Sequence, residues 1–248
     1  MPKSLPSFDV LAIGDTMLDV FVEIQEAAVH CALDRTACQI SFSFGEKIPV
    51  EAITKLPAAG NASNAALAAA RLGNKTAICS TVGNDFEAGL VLARWKDGRV
   101  DARYVTRDPG NATNYSTVLS FKGERTILVH HNRYAYRLPT RLPAVKRIYY
   151  TSLGEGHEPL EQALLSQLQT MPATRLTFQP GTYQLRRFAS GTKEVLARTD
   201  ILVLNKEEAA AFLQAPSKEP LTKCLERLQA CGPRLTVITD GEHGSYAL

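Results

Sequence analysis

Two carboxylates follow the first apolar segment of the chain. Asp15 and Asp19 lie in the sequence Gly14-Asp-Thr-Met-Leu-Asp19, directly after the nearly continuous apolar run Phe8–Gly14. A short run of this kind predicts a buried parallel strand. Ligands of α/β proteins bind outside the carboxyl ends of the strands, so carboxylates placed there can bind sugar hydroxyls. An aspartate after a strand is also a common turn residue, and both interpretations stay open at this point.

A second polar cluster opens an alanine-rich segment. It reads Ala59-Gly-Asn-Ala-Ser-Asn-Ala65, and the segment continues to Leu72 before Gly73, which is typical of a helix end. Gly60 permits close backbone approach, and the first N–H groups of a helix are free to bind a ligand. The Asn64 amide can donate and accept hydrogen bonds at once, which suits a polyol. The alternative is a plain helix start whose alanines pack tightly.

A third cluster, Asn205-Lys-Glu-Glu208, directly follows the predicted strand Ile201–Leu204. Glu208 comes three residues after Asn205, which is the spacing of a capping box at a helix N-terminus. The functional alternative places Glu208 near a phosphate-bound magnesium ion, with water between them. The spacing alone does not choose between the two.

The fourth cluster is Thr239-Asp-Gly-Glu-His-Gly244, after the predicted strand Leu235–Ile238. Two glycines around a tight turn can form a simple hairpin, but they also allow the backbone to lie against a nucleotide. His243 is interpreted as a solvated turn residue. Ser245–Leu248 has the pattern of a further strand.

Strands and helices alternate along the rest of the chain. Predicted strands at Thr76–Val82, Arg147–Thr151 and Arg175–Phe178 are separated from one another by helical patterns. This order favours a doubly wound, mostly parallel α/β sheet that is covered on both faces. Residues 19–56 lack this periodicity and are predicted to be a small β excursion. The segments Tyr115–Phe121 and Arg125–His130 flank a three-residue connection typical of a β-hairpin.

Composition excludes several classes of protein. The 248 residues are 45% apolar and 21% charged, which is ordinary for one globular α/β domain. The net charge of +3 comes from interspersed charges, so neither a nucleic-acid-binding nor a membrane-binding surface is expected. Residues 10–13 are too short an apolar run for a signal peptide, and a cytoplasmic location is predicted.

The five cysteines contain no closely spaced pair of the kind that binds metal. Cys31 and Cys38 are seven residues apart, and so are Cys224 and Cys231. On a helix this spacing places both residues of a pair on one face, so each pair is predicted to be small core residues.

The order of the clusters resembles the PfkB family of ribokinase-like carbohydrate kinases. The resemblance covers Asp9 to Tyr246, and its most specific part runs from Ala59 through Val82-Gly-Asn-Asp85 to Gly89. It implies a ribokinase-like, doubly wound α/β sheet with a small β lid over the sugar, here residues 19–56. It also implies ATP and Mg²⁺ as cofactors, a sugar or nucleoside as acceptor, and a homodimer formed through the lid.

Carried over by position, the resemblance implies two sets of site residues. The substrate-binding set is Asp19, Gly60, Asn61 and Asn64. The nucleotide-binding set is Asn205, Glu208, Thr239, Gly241 and Gly244, with Glu208 as the magnesium residue, acting through water. Met17 stands where ribokinase has a polar sugar contact, and Ala59 stands where many members have a second glycine, so ribose is not implied as the sugar.

One segment of the family pattern does not occur in the sequence. The family's Gly-Ala-Gly-Asp segment supplies the catalytic aspartate and follows the position of Gly244, and no such sequence exists among the 248 residues. No catalytic residue is therefore assigned, and the domain 1–248 is expected to lack its C-terminal end and to be weakly active or inactive. Two rivals stay open, a non-catalytic sugar-binding relative and a Rossmann dinucleotide-binding domain. The Rossmann domain needs a Gly-x-Gly-x-x-Gly motif that Gly14–Asp19 does not provide.

Overall fold

Fourteen strands and seven α-helices occur in the computed structural model, within the residues that it describes, 7–32, 38–187, 193–216 and 219–248. The strands are β1 (Ser7–Ile13), β2 (Met17–Ile24), β3 (Ala28–Cys31), β4 (Cys38–Ser41), β5 (Val50–Ala59), β6 (Thr76–Gly83), β7 (Val100–Asp108), β8 (Tyr115–Phe121), β9 (Glu124–His130), β10 (Ala144–Thr151), β11 (Arg175–Gln179), β12 (Ile201–Asn205), β13 (Leu235–Thr239) and β14 (Ser245–Ala247). The helices are α1 (Asn61–Arg71), α2 (Phe86–Asp97), α3 (Glu158–Gln169), α4 (Thr182–Arg186), α5 (Lys193–Arg198), α6 (Lys206–Leu213) and α7 (Leu221–Gln229).

The large sheet has eight strands in the order β14-β13-β12-β11-β10-β1-β6-β7. All neighbours pair in parallel except β14, which runs antiparallel to β13. From β1 the chain moves outward through β6 and β7, and it then returns to β10 and builds the other half. The strand order therefore reverses between β1 and β10, which is where doubly wound sheets bind their ligands.

Helices cover both faces of this sheet and divide its core into two apolar clusters. Successive residues of β1 show the division, because Leu11 and Ile13 belong to one cluster and Ala12 belongs to the other. The first cluster contains residues of α3, α5, α6 and α7, whereas α1 and α2 pack into the second. Both clusters include residues of the strands as well as of the helices. All eight residues of β6 are buried. The predicted doubly wound, mostly parallel sheet is thus confirmed.

A second, four-stranded sheet has the order β5-β2-β8-β9. The outer pairs, β5 with β2 and β8 with β9, are antiparallel, and the central pair β2–β8 is parallel. Half of this sheet comes from the predicted excursion, residues 19–56, and the other half is the hairpin of residues 115–130. The hairpin loop is Lys122-Gly123, two residues rather than three, and both have positive φ as a type I′ turn requires.

Several local predictions need correction. Cys31 and Cys38 are neither helical nor buried, because they face each other across the antiparallel strands β3 and β4 and form a disulfide. The other pair behaves as predicted in part, with Cys224 buried on α7 and Cys231 half-buried just after it. Strand β7 and helix α4 were not predicted, because neither has a clear hydrophobic period. In the described part of the chain, no helix has the length and apolarity to cross a bilayer.

Candidate active site

The carboxyl ends of β1, β10 and β11 open onto a cavity of about 600 Å³. Asp15, Ser152 and Gly181, each placed just after one of these strands, line one side of it. The small sheet lines the other side through Asp19 and Ser116, which are direct register partners on β2 and β8. The cavity therefore lies at the point where the strand order of the large sheet reverses.

The start of α1 forms a third wall. Gly60 precedes the helix with φ 91°, and a Cβ at this position would lie 3.1 Å from the Asp15 carbonyl oxygen, so a larger residue would be strained. Asn61 donates from Nδ2 to Ser152 Oγ at 3.2 Å. Asn64, one turn further along, also lines the cavity. The structure thus brings the whole predicted substrate-binding set, including Asp19, to one cavity.

A buried chain of hydrogen bonds ties the β1–β2 connection to α1. Thr16 Oγ1 donates to the Ala59 carbonyl at 3.0 Å and also shares a hydrogen bond with Ser63 Oγ at 2.5 Å. The Trp95 indole donates to the same Ser63 oxygen at 3.2 Å. Since Thr16, Ser63 and Trp95 are all fully buried, the chain holds Asp15 and Asp19 in place relative to Gly60 and Asn64.

Asp19 is a half-buried carboxylate on the cavity face of β2. The Ser116 hydroxyl donates a hydrogen bond to it from the neighbouring strand. Burial raises the pKa of Asp19, while the Ser116 hydrogen bond and the charge of Arg125 act in the opposite direction. Arg125 lies on β9 and lines the same cavity. Asp19 consequently has hydrogen-bonding capacity left for a ligand.

Asp15 is the most deeply buried carboxyl group of the site, with 3% of its surface exposed. Burial raises its pKa from 3.8 to about 7, against the opposing effects of the hydrogen bond from the Tyr136 hydroxyl and of the nearby Gly154 amide. The Tyr136 hydroxyl donates to Oδ2 at 2.9 Å. His131 Nδ1 lies 3.8 Å from the same oxygen, and burial lowers the pKa of this histidine.

The predicted nucleotide-binding residues Asn205 and Glu208 form the capping box that their spacing suggested. Asn205 Oδ1 accepts a hydrogen bond from the Glu208 amide at 2.7 Å, and Glu208 Oε2 accepts one from the Asn205 amide at 2.9 Å. Glu208 nevertheless lines the cavity and keeps its second carboxylate oxygen outside the box. Asn205 is also the register partner of Thr239 on the neighbouring strand, so these two positions are adjacent.

The turn after β13 contributes no wall to this cavity within the described residues. Gly241 and Gly244 have φ values of 54° and 89°, and the segment between them is an exposed 3₁₀ turn that contains His243. The backbone then continues into β14, as the pattern of Ser245–Leu248 predicts. The residues Thr239, Gly241 and Gly244 thus lie outside this cavity, and Thr239 is next to Asn205 through the strand pairing.

Several lining residues were not predicted. Ser152 and Gly181 follow strands whose ends were recognised, so the rule that placed Asp19 could also have found them. The lining residues His131 and Ser116, and Tyr136, which contacts Asp15 behind the wall, gave no local signal, because their roles depend on contacts with residues far away in the sequence. A larger depression of about 800 Å³ lies beside the β3–β4 hairpin and includes Phe42 and Lys122, but no strand ends of the large sheet meet there.

The residues of the site limit the ways in which it could hold a metal ion. Among the described residues, no three His, Cys, Asp or Glu side chains are grouped as they would be in a metal cage. Mg²⁺ usually keeps several waters and binds through one carboxylate together with substrate phosphates. Glu208, which lines the cavity and has one carboxylate oxygen outside the capping box, fits that mode of binding.

A family model, described as pfkB family carbohydrate kinase, matches residues 26–248. Among characterised relatives, a bifunctional ribokinase/ribose-5-phosphate isomerase A from Fructilactobacillus sanfranciscensis is 23% identical over 245 residues, covering 96% of this chain and 42% of that protein. A ribokinase from Staphylococcus aureus is 21% identical over 243 residues, covering 96% of this chain and 74% of its own length. The chain therefore spans less than half of the bifunctional relative.

Solved structures agree on the fold. An Arabidopsis thaliana ribokinase, complexed with ribose and ATP, superposes with a TM-score of 0.72 at 16% identity, covering 98% of this chain and 75% of that one. A fructokinase from Halothermothrix orenii has a TM-score of 0.70 at 17% identity, covering 97% and 82% of the two chains. At these identities the likeness shows a ribokinase-like fold.

Proposed function

This chain belongs to the pfkB family of carbohydrate kinases, and we propose that it carries the acceptor site of an ATP-dependent kinase for a sugar or nucleoside hydroxyl. The family consists of phosphotransferases with an alcohol group as acceptor. The observation that carries the proposal is the meeting of Asp19, Gly60, Asn61 and Asn64 in one cavity at the reversal point of the sheet. The family match removes the Rossmann dinucleotide-binding alternative.

On the acceptor side, each of these residues has a chemical task. Asp19 accepts hydrogen bonds from acceptor hydroxyls, and the Ser116 hydroxyl holds its carboxylate in place. Asn64 donates to one hydroxyl oxygen and accepts from another. Gly60 lets the acceptor lie close to the backbone at the start of α1. The small sheet above them acts as the lid, since Asp19 and Ser116 are on its cavity face.

On the donor side, we propose Asn205, Glu208, Thr239, Gly241 and Gly244 as the nucleotide residues. The pairing of β12 with β13 supports this, because it places Asn205 beside Thr239. Magnesium, when bound, neutralises charge on the transferring phosphates. Glu208 would hold that ion through water, with the carboxylate oxygen that the capping box leaves free.

For turnover, we propose that residues 1–248 alone bind an acceptor but transfer phosphoryl groups poorly. Their sequence contains no Gly-Ala-Gly-Asp, so the family's base and its backbone donors are not supplied by these residues. Loss of a general base costs roughly 10²–10⁴ in rate, and loss of the backbone donors adds to this. A non-catalytic sugar-binding role is the second candidate, supported by the same observation.

The test combines binding and turnover. Calorimetry with pentoses, hexoses and nucleosides should identify at least one acceptor, and Asp19→Ala should weaken its binding. The matched control is Asp101→Ala, because Asp101 pairs with Arg103 on β7 and is not part of the cavity. A coupled ADP-release assay with the same panel should show little or no turnover. No binding of any panel member would refute the acceptor site, and turnover near 1–100 s⁻¹ would show that a base lies within this chain.

Two further proposals concern the state of the protein. We propose a cytoplasmic location, where the Cys31–Cys38 disulfide would be reduced, and counting free thiols in protein purified under alkylating conditions tests this.

We also propose a homodimer through the small sheet, whose outer strands expose Ile53 and Leu128 by 61% and 57%. Sedimentation of the wild type and of an Ile53→Glu variant checks the dimer, which the substitution should dissociate.

A further inference from the structure

Two enclosed polar atoms of the cavity wall have no hydrogen-bond partner among the described residues. They are Asp15 Oδ1 and His131 Nδ1, and both residues line the cavity that also contains Asp19 and Asn64. His131 Nδ1 lies 3.8 Å from Asp15 Oδ2, which is too long for a hydrogen bond. The two residues therefore face each other without satisfying each other.

Two other carboxyl groups, one half-buried and one ion-paired, are better satisfied. Asp85 accepts hydrogen bonds on both oxygens, from the Ala88 and Thr113 amides and the Thr113 hydroxyl. Asp200 likewise uses both oxygens, with Arg175 and the Leu176 amide. A buried polar atom without a partner costs about 1–3 kcal/mol, and more when it is charged. A purely structural role for Asp15 therefore leaves its free oxygen unexplained.

The carboxyl group of Asp15 is held in place from its other side. Its main-chain amide donates to the Ser152 carbonyl at 2.7 Å, and Oδ2 accepts from the Tyr136 hydroxyl. The Gly154 amide donates to that same hydroxyl at 2.9 Å, and a Cβ on Gly154 would lie 2.7 Å from it. Only glycine fits there. The contacts fix Oδ2 and leave Oδ1 as the one carboxyl oxygen of Asp15 without a partner among the described residues, and a group held in place in this way is preorganised for binding.

We propose that Asp15 and His131 form a second hydroxyl-binding subsite, which rests on the proposed acceptor function and adds a specificity determinant to it. A hydroxyl group donates its proton to Asp15 Oδ1, and its oxygen accepts a hydrogen bond from His131 in the tautomer that carries the proton on Nδ1. The substrate class is a polyol. Some of its hydroxyls bind Asp19 and Asn64, and one further hydroxyl binds Asp15 and His131. An acceptor that lacks this hydroxyl leaves two buried groups unpaired, so it is rejected strongly.

The experiment is a scan of monodeoxy analogues. Once the panel of pentoses, hexoses and nucleosides has identified an acceptor, its dissociation constant and those of its monodeoxy analogues are measured by calorimetry for wild type and Asp15→Asn. For one hydroxyl, removal should weaken wild-type binding roughly 10- to 150-fold, the range for a hydrogen bond to a charged group. Asp15→Asn should bind the parent acceptor more weakly and should no longer distinguish it from that one analogue.

Controls separate the subsite from a structural effect. Asp19→Asn should lose discrimination at a different hydroxyl and keep it at the one assigned to Asp15. If Asp15→Asn does not fold, His131→Gln is the second variant, because the His131 side chain is 26% exposed in the wild type. It should reduce discrimination at the same hydroxyl. Equal weakening of all analogues by these variants would overturn the subsite while leaving the acceptor function intact. A wild type that binds no polyol would instead overturn both.

Discussion

Replacing Asp15 by Asn should change how the stability of the protein depends on pH. Burial raises the pKa of Asp15 from 3.8 to about 7. A carboxyl group with a raised pKa in the folded state stabilises that state while it is protonated, and this contribution is lost as the pH rises from 3.8 to about 7. A shift of about three pKa units corresponds to ~4 kcal/mol in all, of which ~3 kcal/mol is lost above pH 5.

The assay is urea unfolding of wild type and Asp15→Asn at pH 5 and pH 8 and constant ionic strength. The amide has its own cost at this site, because its NH₂ group replaces an oxygen that has no partner, but that cost is the same at both pH values. The informative quantity is therefore the difference in unfolding free energy between the two proteins, compared at pH 5 and at pH 8. Relative to wild type, Asp15→Asn should gain ~3 kcal/mol of unfolding free energy between pH 5 and pH 8.

Two comparisons make this result specific. The groups that face Asp15 and titrate are Tyr136, Tyr134 and His131, so repeating the pair of measurements in a His131→Gln background removes the histidine's contribution. Asp200→Asn is the matched control. Burial acts to raise the pKa of Asp200, but the Leu176 amide and Arg175 outweigh it and lower that pKa. The unfolding free energy of Asp200→Asn should therefore differ from that of wild type by the same amount at pH 5 and pH 8. Stability curves of wild type and Asp15→Asn that run parallel from pH 5 to pH 8 would refute the reasoning.

Three further predictions concern the walls of the cavity. Asp19→Ala should weaken binding of the acceptor roughly 10- to 150-fold, because it removes hydrogen bonds to a charged group, and calorimetry measures this. Gly60→Ala should lower the free energy of unfolding by about 1–3 kcal/mol, because φ is 91° and the Asp15 carbonyl is close, and chemical denaturation should show it. Ser63→Ala should cost about 1–3 kcal/mol, since Trp95 and Thr16 both lose a buried partner; an unchanged midpoint with unchanged indole fluorescence would contradict this.

Local pattern predicted the elements of the large sheet well. The apolar runs at β1, β6, β10, β11, β12 and β13 were recognised because a strand buried on both faces needs little beyond its own composition. The alanine-rich helix α1 and the capping box at Asn205 and Glu208 were recognised for the same reason, since both depend on residues within one or two turns. Strand β7 was missed because its sequence has no clear hydrophobic period, which agrees with the fact that only Val100 of its nine residues is buried.

Local sequence patterns were sufficient to predict the order of most elements and the positions of the polar clusters that follow them. The pairing of Asp19 with Ser116, and the closure of the cavity by the β8–β9 hairpin, were decided only by the tertiary structure. Cys31 and Cys38 became a cross-strand pair rather than core residues for the same reason. The difference is physical, because hydrophobic period and capping act between near neighbours. The partners of Asp15, by contrast, are brought to it over more than a hundred residues by the packing of the whole sheet.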